Sequence, residues 1–323
     1  MSKAYELMAI GEFLVDAISI QSEGALALEG HAGGAPANML ATASKLGRST
    51  ALIAKVGEDG FGRYLRQCLH QFGVSDRYVA ASELPTTLAI VTLDEQGDRS
   101  FHFYRKHTAD IMLLPEEIPC ETIASARLLH FCSMPLTDQP SRDATMLAIR
   151  HASDCGVQVS FDPNWRPTLW ESTEAARHWI EQGMAYTDIA KLSEEELFLL
   201  VEADSHEDGI RQLMQRYPRL KLAAVTLGAA GCLCLTADGL LCSAPGFSVN
   251  CIDTTGAGDA FCAGMLSFLL ERGSERDSAS LSEGELLELM RFANAVGALS
   301  TTEKGGFPTQ LNEQRIQALL AQS

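Results

Sequence analysis

Asp253-Thr254-Thr255-Gly256-Ala257-Gly258-Asp259-Ala260-Phe261 is the stretch on which the reading of this chain turns. Residues 248–252 before it read as a strand, and after it Phe261, Met265, Phe268 and Leu269 recur on one face of a helix, with Thr255 in the N-cap position. A strand that passes through a glycine-rich turn into a helix leaves the first helical N–H groups unshielded, and such a turn binds anions. Asp259 falls inside that first turn, beside whatever the turn holds. The spacing alone also fits a plainer reading, in which Asp259 complements the helix dipole and the small residues serve close packing. The chain has no GxxxxGK[ST] loop, and Phe261 occupies the last position of a would-be GxGxxG fingerprint.

Outward from this turn the chain keeps one rhythm, apolar strand then amphipathic helix. Met39, Leu40, Ala43 and Leu46 keep helical spacing after Pro36, and Gly47 ends that helix. Residues 51–56 read as a buried strand, and Phe61, Leu65, Cys68, Leu69 and Phe72 mark one face of a helix closed by Gly73. Apolar runs follow at 128–132, 157–161, 189–192 and 222–227, with helix-period segments between most of them. This alternation predicts an α/β fold, a mostly parallel sheet with helices on both faces.

Two segments break the rhythm. Residues 86–93 and 99–105, joined by Asp94-Glu95-Gln96-Gly97-Asp98, predict a β-hairpin. Its second arm sets Phe101 and Phe103 against His102 and Tyr104, giving one apolar face and one that can meet a ligand. Residues 11–29 are also strand-like. A lone hairpin is marginal, so the two segments are predicted to pair as a small β-sheet lid from about 12–30 and 86–106, within one domain over 1–323.

Lys+Arg 25 against Asp+Glu 42 gives a net charge of −17, which disfavours nucleic acid polymers and anionic membranes as partners but not a single bound anion. Nine cysteines are scattered without a CxxC pair, so neither a disulfide framework nor zinc ligation is expected. Cys132, Cys232 and Cys234 sit in apolar runs as small hydrophobes. No leader pattern or membrane-length apolar run occurs, and a cytoplasmic protein is expected.

The turn at 253–261 resembles the C-terminal signature of the ribokinase-like (PfkB) carbohydrate kinases. Gly33-Gly34-Ala35-Pro36-Ala37-Asn38, with Val56-Gly57-Glu58-Asp59-Gly60-Phe61-Gly62, resembles their N-terminal signature, and Thr226-Leu227-Gly228-Ala229-Ala230-Gly231 their nucleotide loop. The match runs in family order from about residue 9 to 308. Phe103-Tyr104-Arg105 and the run 161–167, FDPNWRP, look most like the bacterial fructokinases of the family. The resemblance implies a ribokinase-like fold and an ATP-dependent sugar kinase, most similar to those that make fructose 6-phosphate. The 2-keto-3-deoxygluconate, aminoimidazole riboside and purine nucleoside kinases are the alternatives. The intact Asp259 and unbroken turn argue against a non-catalytic sugar sensor.

By the same resemblance Asp259 is the general base, and the amides of Gly256, Ala257 and Gly258 stabilise the transferring phosphoryl group. Asp16, Gly33, Gly34 and Asn38 match sugar-binding positions, as do Asp162 and Asn164; read alone, Asp16 is better explained as a strand-end or turn carboxylate, and the resemblance reverses that reading. Tyr104 faces the sugar from the lid, Arg105 beside it matches a substrate-binding position, and Arg166 reaches the substrate pocket from the 161–167 loop; a guanidinium suits a hydroxyl and a substrate carboxylate alike. Thr226, Gly228, Gly231 and Asn294 match the nucleotide site, though Asn294 also reads as an ordinary surface-helix residue. Ser193 replaces a family Asn, three residues before Glu196, in a motif linked to Mg2+ and phosphate. An N-cap Ser with acidic first-turn residues explains the same run. Asp253, Thr255, Ser300, Glu303 and Gly305 match a site for a monovalent cation, K+. ATP, Mg2+ and K+ are thus the implied cofactors, and the apolar lid face implies a homodimer.

Overall fold

A computed structural model of the chain describes residues 5–20, 27–93, 99–272 and 281–322. Its strands, in chain order, are β1 (Leu7–Ile10), β2 (Leu14–Ile20), β3 (Ala27–Gly33), β4 (Thr50–Gly57), β5 (Ser75–Ser82), β6 (Leu88–Leu93) and β7 (Arg99–Tyr104). There follow β8 (Leu128–Cys132), β9 (Gln158–Asp162), β10 (Ile189–Ser193), β11 (Leu222–Thr226), β12 (Cys232–Thr236) and β13 (Leu241–Ala244). Nine of them form one sheet in the order β13-β12-β11-β10-β9-β8-β1-β4-β5. It is parallel from β11 to β5, and at the other edge β12 pairs antiparallel with both β11 and β13.

The apolar runs of the sequence are the signature of strands buried on both faces. In β1, Leu7 and Ala9 face a cluster shared with helices Ala35–Lys45, Ala257–Glu271 and Glu283–Ser300. Met8 and Ile10 face the opposite layer, where Phe131 and Phe161 stack 4.2 Å apart beneath helices Ser141–Asp154 and Thr173–Met184. Two hydrophobic layers therefore flank one sheet, as the period-2 alternation of side chains requires.

The four remaining strands make a separate small sheet in the order β3-β2-β6-β7. β2 pairs antiparallel with β3 and parallel with β6, and β6 pairs antiparallel with β7, so the two irregular segments do pair with each other. The turn 94–98 and residues 21–26 of the expected lid lie outside the described residues, and the Phe101 side chain is likewise not described. Phe103 packs with Leu14, Ala89 and Met134, which seats this sheet against the larger body.

Two local expectations need correction. Residues 248–252 form no strand: the chain there is irregular, and the N–H groups of Ile252 and Asp253 donate to the carbonyl of Thr301 at 2.7 and 3.1 Å. These hydrogen bonds go to the C-terminal cap of helix Glu283–Ser300 and not to a sheet neighbour. Thr255 is not the N-cap either. Gly256 is, with φ of 76°, a left-handed conformation that costs a residue with a Cβ about 1–2 kcal/mol.

Candidate active site

A cleft of about 800 Å³ opens between the two sheets at the carboxyl ends of the parallel strands, the usual ligand position in open α/β sheets. β1 delivers Glu12 and, through β2, Asp16. β9 leads into Asn164 and Arg166, β10 ends at Ser193, β11 ends at Thr226, and the 253–261 turn closes the floor.

Asp259 lies at the centre, 6% exposed, in the first turn of helix Ala257–Glu271. Its two oxygens are held from opposite sides: the Asn38 amide donates to Oδ2 at 2.8 Å and the Asn164 amide to Oδ1 at 2.9 Å. Asn164 has φ of 44°, unusual for a residue with a side chain and frequent at functional sites. Burial, reinforced by the charge of Asp162, pushes the Asp259 pKa up to about 6 against the pull of Asn38, Lys191 and Arg166. The fixed carboxylate is thus poised near neutrality as a proton acceptor. Asn38 and Asn164, expected as sugar ligands, use their amide nitrogens on Asp259; the buried Oδ1 of Asn38 has no hydrogen-bond partner among the described residues.

Asp16 and Gly34 line the cleft beside Asn38, and Gly33 stands behind Asp16. A Cβ at Gly33 would fall 2.1 Å from Asp16 Oδ2, so glycine there makes room for the carboxylate. Burial drives the Asp16 pKa up to about 7, with Arg166 opposing and Asp259 adding to the rise. Arg166 lines the cleft, and its Nη1 reaches the Trp165 carbonyl at 3.2 Å.

The amides of Gly256 and Gly258 donate to no other described residue, whereas Ala257 donates to the Thr254 carbonyl at 3.2 Å. Two of the three expected phosphoryl-binding amides therefore stand open. At the other end Thr226, Gly228, Ser193 and Glu196 line the cleft. Ser193 and Glu196 form a reciprocal capping box, Ser193 Oγ accepting from Glu196 N at 3.2 Å and Glu196 Oε2 from Ser193 N at 2.7 Å. The remaining oxygen of Glu196 accepts from Trp165 N at 2.7 Å.

Other expected residues lie elsewhere. Tyr104 is 66% exposed and outside the cleft lining, because strand alternation turns Phe103 inward and Tyr104 outward. Arg105 is buried and bound by Asp110 at 2.6 Å, Asp138 at 3.1 Å, Thr137 at 2.5 Å and the Met134 carbonyl at 3.2 Å. It anchors the end of β7 and does not reach the cleft. Asp162 lies just beneath the floor, bound to Lys191 at 3.0 Å. Gly231 packs against the Ala244 carbonyl, and Asn294 donates to the carbonyls of Ala244 and Pro245 at 3.3 and 3.0 Å, outside the lining.

The expected cation residues gather behind the turn. Asp253 accepts from Thr255 N at 2.7 Å and Gly305 N at 3.0 Å, Ser300 donates to the Gly297 carbonyl at 2.8 Å, and Glu303 accepts from Thr309 N and Gln310 N at 3.0 Å each. These carboxylates serve backbone N–H groups, so a cation here would be met by carbonyl oxygens. Among the described residues no group of three His, Cys, Asp or Glu side chains is placed to hold a metal ion.

Glu12 and Lys191 were not singled out by the sequence reading. Lys191 is a charged residue inside the apolar strand β10, and Glu12 is a lone charge in the short connection between β1 and β2; a charge set among apolar residues is the signal that finds them. Glu12 Oε1 accepts from Ala35 N at 3.0 Å at the start of the helix carrying Asn38, and burial pushes its pKa up to about 7.

Sequence and fold comparisons agree with this geometry. Residues 5–311 match the pfkB family of carbohydrate kinases, and the chain belongs to that family: it is an ATP-dependent sugar kinase with a ribokinase-like fold. Fructokinase-1 of Zea mays is 39% identical over 321 residues, 97% of each chain. Fructokinase from Xylella fastidiosa with bound ATP superposes with a TM-score of 0.89 at 32% identity, covering 98% of this chain and 99% of the other. A double mutant of Vibrio cholerae O395 fructokinase with fructose, ADP and potassium ion bound gives 0.86 at 34% identity, over 99% and 100%.

Proposed function

We propose that this kinase transfers the γ-phosphoryl group of ATP to the primary 6-hydroxyl of D-fructose, with Asp259 as general base. The observation that carries the chemistry is the grip of Asn38 and Asn164 on the two oxygens of Asp259, beside the open amides of Gly256 and Gly258. Asp259 takes the hydroxyl proton, the hydroxyl oxygen bonds to phosphorus, and the bond to the β-phosphate breaks as ADP departs. The open amides meet the charge on the transferring group. Asp16 accepts from sugar hydroxyls, and Arg166 hydrogen-bonds the sugar from the opposite wall. The fructose assignment rests on the relatives, one of which holds that sugar.

Mg2+ would be bound mainly through the ATP phosphates, whose charge it would neutralise. Glu196, beside the 226–228 loop, fits the edge of that site, and backbone carbonyls around Asp253, Thr255, Ser300, Glu303 and Gly305 fit K+. The small sheet acts as a lid that excludes water, so that ATP is not hydrolysed. A reducing cytoplasm suits the nine free cysteines.

An ADP-release assay with a sugar panel tests the reading. The kcat/KM for fructose is expected to exceed those for 2-keto-3-deoxygluconate, aminoimidazole riboside and adenosine by at least about 10²-fold, the scale on which a site built for particular hydroxyls discriminates. Replacing K+ by Na+ in the same assay is expected to lower the rate. Preference for the keto acid would reassign Arg166 to a substrate carboxylate.

Leu28, Ile20 and Tyr104 leave apolar surface exposed on the small sheet. A homodimer paired through that surface is expected by sedimentation at micromolar concentration, and a monomer would refute it.

A further inference from the structure

Arg166 and Lys191 carry the positive charge among the side chains lining the cleft, where Glu12, Asp16 and Asp259 set a negative field. Lys191 is the deeper of the two, 5% exposed, on the same strand face as Ser193. Its ammonium donates to Asp162 Oδ2 at 3.0 Å, and no other described residue accepts from it, so two of its three N–H groups are uncommitted. The neighbouring carboxylates do not depend on it for hydrogen bonds: Glu196 meets two backbone N–H groups, and Asp259 meets two side-chain amides.

A Cβ on Gly258 would stand 2.8 Å from Lys191 Nζ, which places the ammonium against the first turn of helix Ala257–Glu271. A cation at the positive end of a helix is in a repulsive place. Burial lowers the Lys191 pKa, but Asp162 and Glu196 outweigh burial and hold it raised, so the charge persists. The buried cation therefore sits beside the turn that carries the two open amides, in the same cleft, an arrangement that an incoming anion relieves.

We propose that Lys191 is a catalytic residue for phosphoryl transfer, donating an uncommitted N–H to an oxygen of the γ-phosphoryl group as it moves from ATP to the sugar. The lysine stays protonated throughout. The sugar oxygen–phosphorus bond forms, the bond to the β-phosphate breaks with its electron pair going to ADP, and the hydroxyl proton goes to Asp259. Asp162 aims the ammonium and is a positioning residue. The proposal rests on the kinase reading above for its substrates.

The test combines turnover with calorimetric binding of Mg-ADP and fructose, with and without aluminium fluoride, a stand-in for the transferring phosphoryl group. Lys191→Met leaves Asp162 buried without its cation, so Lys191→Met/Asp162→Asn is made beside it to remove the charge pair together. Both are expected to lose about 10²- to 10³-fold in kcat, the effect of deleting one donor to a developing charge. Both should also lose the fluoride-dependent tightening of ADP, while plain ADP affinity stays within about threefold, since the contact forms to the transferring group. Turnover within tenfold of wild type in the double variant, with tightening intact, overturns the proposal: the lysine would then only neutralise Asp162. Should the single variant fail to fold, the double variant decides. Wild-type protein that binds ADP and aluminium fluoride tightly but does not turn over fructose refutes the fructose assignment and leaves the Lys191 test standing.

Discussion

Asp259→Asn is expected to lower kcat by about 10³- to 10⁴-fold while the dissociation constant for fructose stays within about threefold. The substitution keeps shape and removes the proton acceptor. Both oxygens of Asp259 now accept amide N–H groups, so in the variant either Asn38 or Asn164 must turn its carboxamide to face the new NH2 with oxygen. That adjustment is local and leaves Asp16 and Arg166 in place. The pH profile gives a second readout. Asp259 must be ionised to take a proton, so wild-type kcat/KM rises with pH through about 6, and the Asp16 carboxylate, held at about 7, adds a further rise. The step near 6 should vanish in the variant. A variant within tenfold of wild type in a steady-state assay removes Asp259 from the chemistry.

Arg105→Met is expected to destabilise the protein by about 3–5 kcal/mol, because it strands a buried carboxylate. Asp110 also accepts hydroxyl hydrogen bonds from Thr87 and Thr108, but Arg105 is its cation. The resulting fall in Tm, read by thermal denaturation, is on the order of 10 °C for a chain of this size. At temperatures where the variant is folded, KM for fructose should stay within about threefold. A large rise in KM with an unchanged Tm would instead return Arg105 to the sugar site.

Arg105 and Arg166 show where sequence reasoning stops. Both were candidates on the same grounds, and their fates differ because Asp110 and Asp138 lie within reach of one and the other points into the cleft. Nothing local marks that difference. The parallel strands were legible because burial on both faces writes continuous apolar runs, as in LLHFC at Leu128–Cys132. The Gly256–Asp259 turn was legible because glycine, helix start and carboxylate are neighbours in the chain. Lys191, Glu12 and the two amides on Asp259 converge from segments as much as 221 residues apart, and that convergence is a property of the fold.

The elevated carboxylate pKa values along the cleft set a limit on how this protein can be improved. A carboxyl group whose pKa rises on folding, as from 3.8 to about 6 in Asp259, favours the folded state at low pH, and that advantage is lost as pH climbs from about 4 through 6. At neutral pH the ionised Asp259 costs the empty enzyme on the order of 3 kcal/mol. Directed evolution for heat resistance without a turnover screen should therefore enrich amides at positions 16 and 259, and the most robust survivors would be inactive.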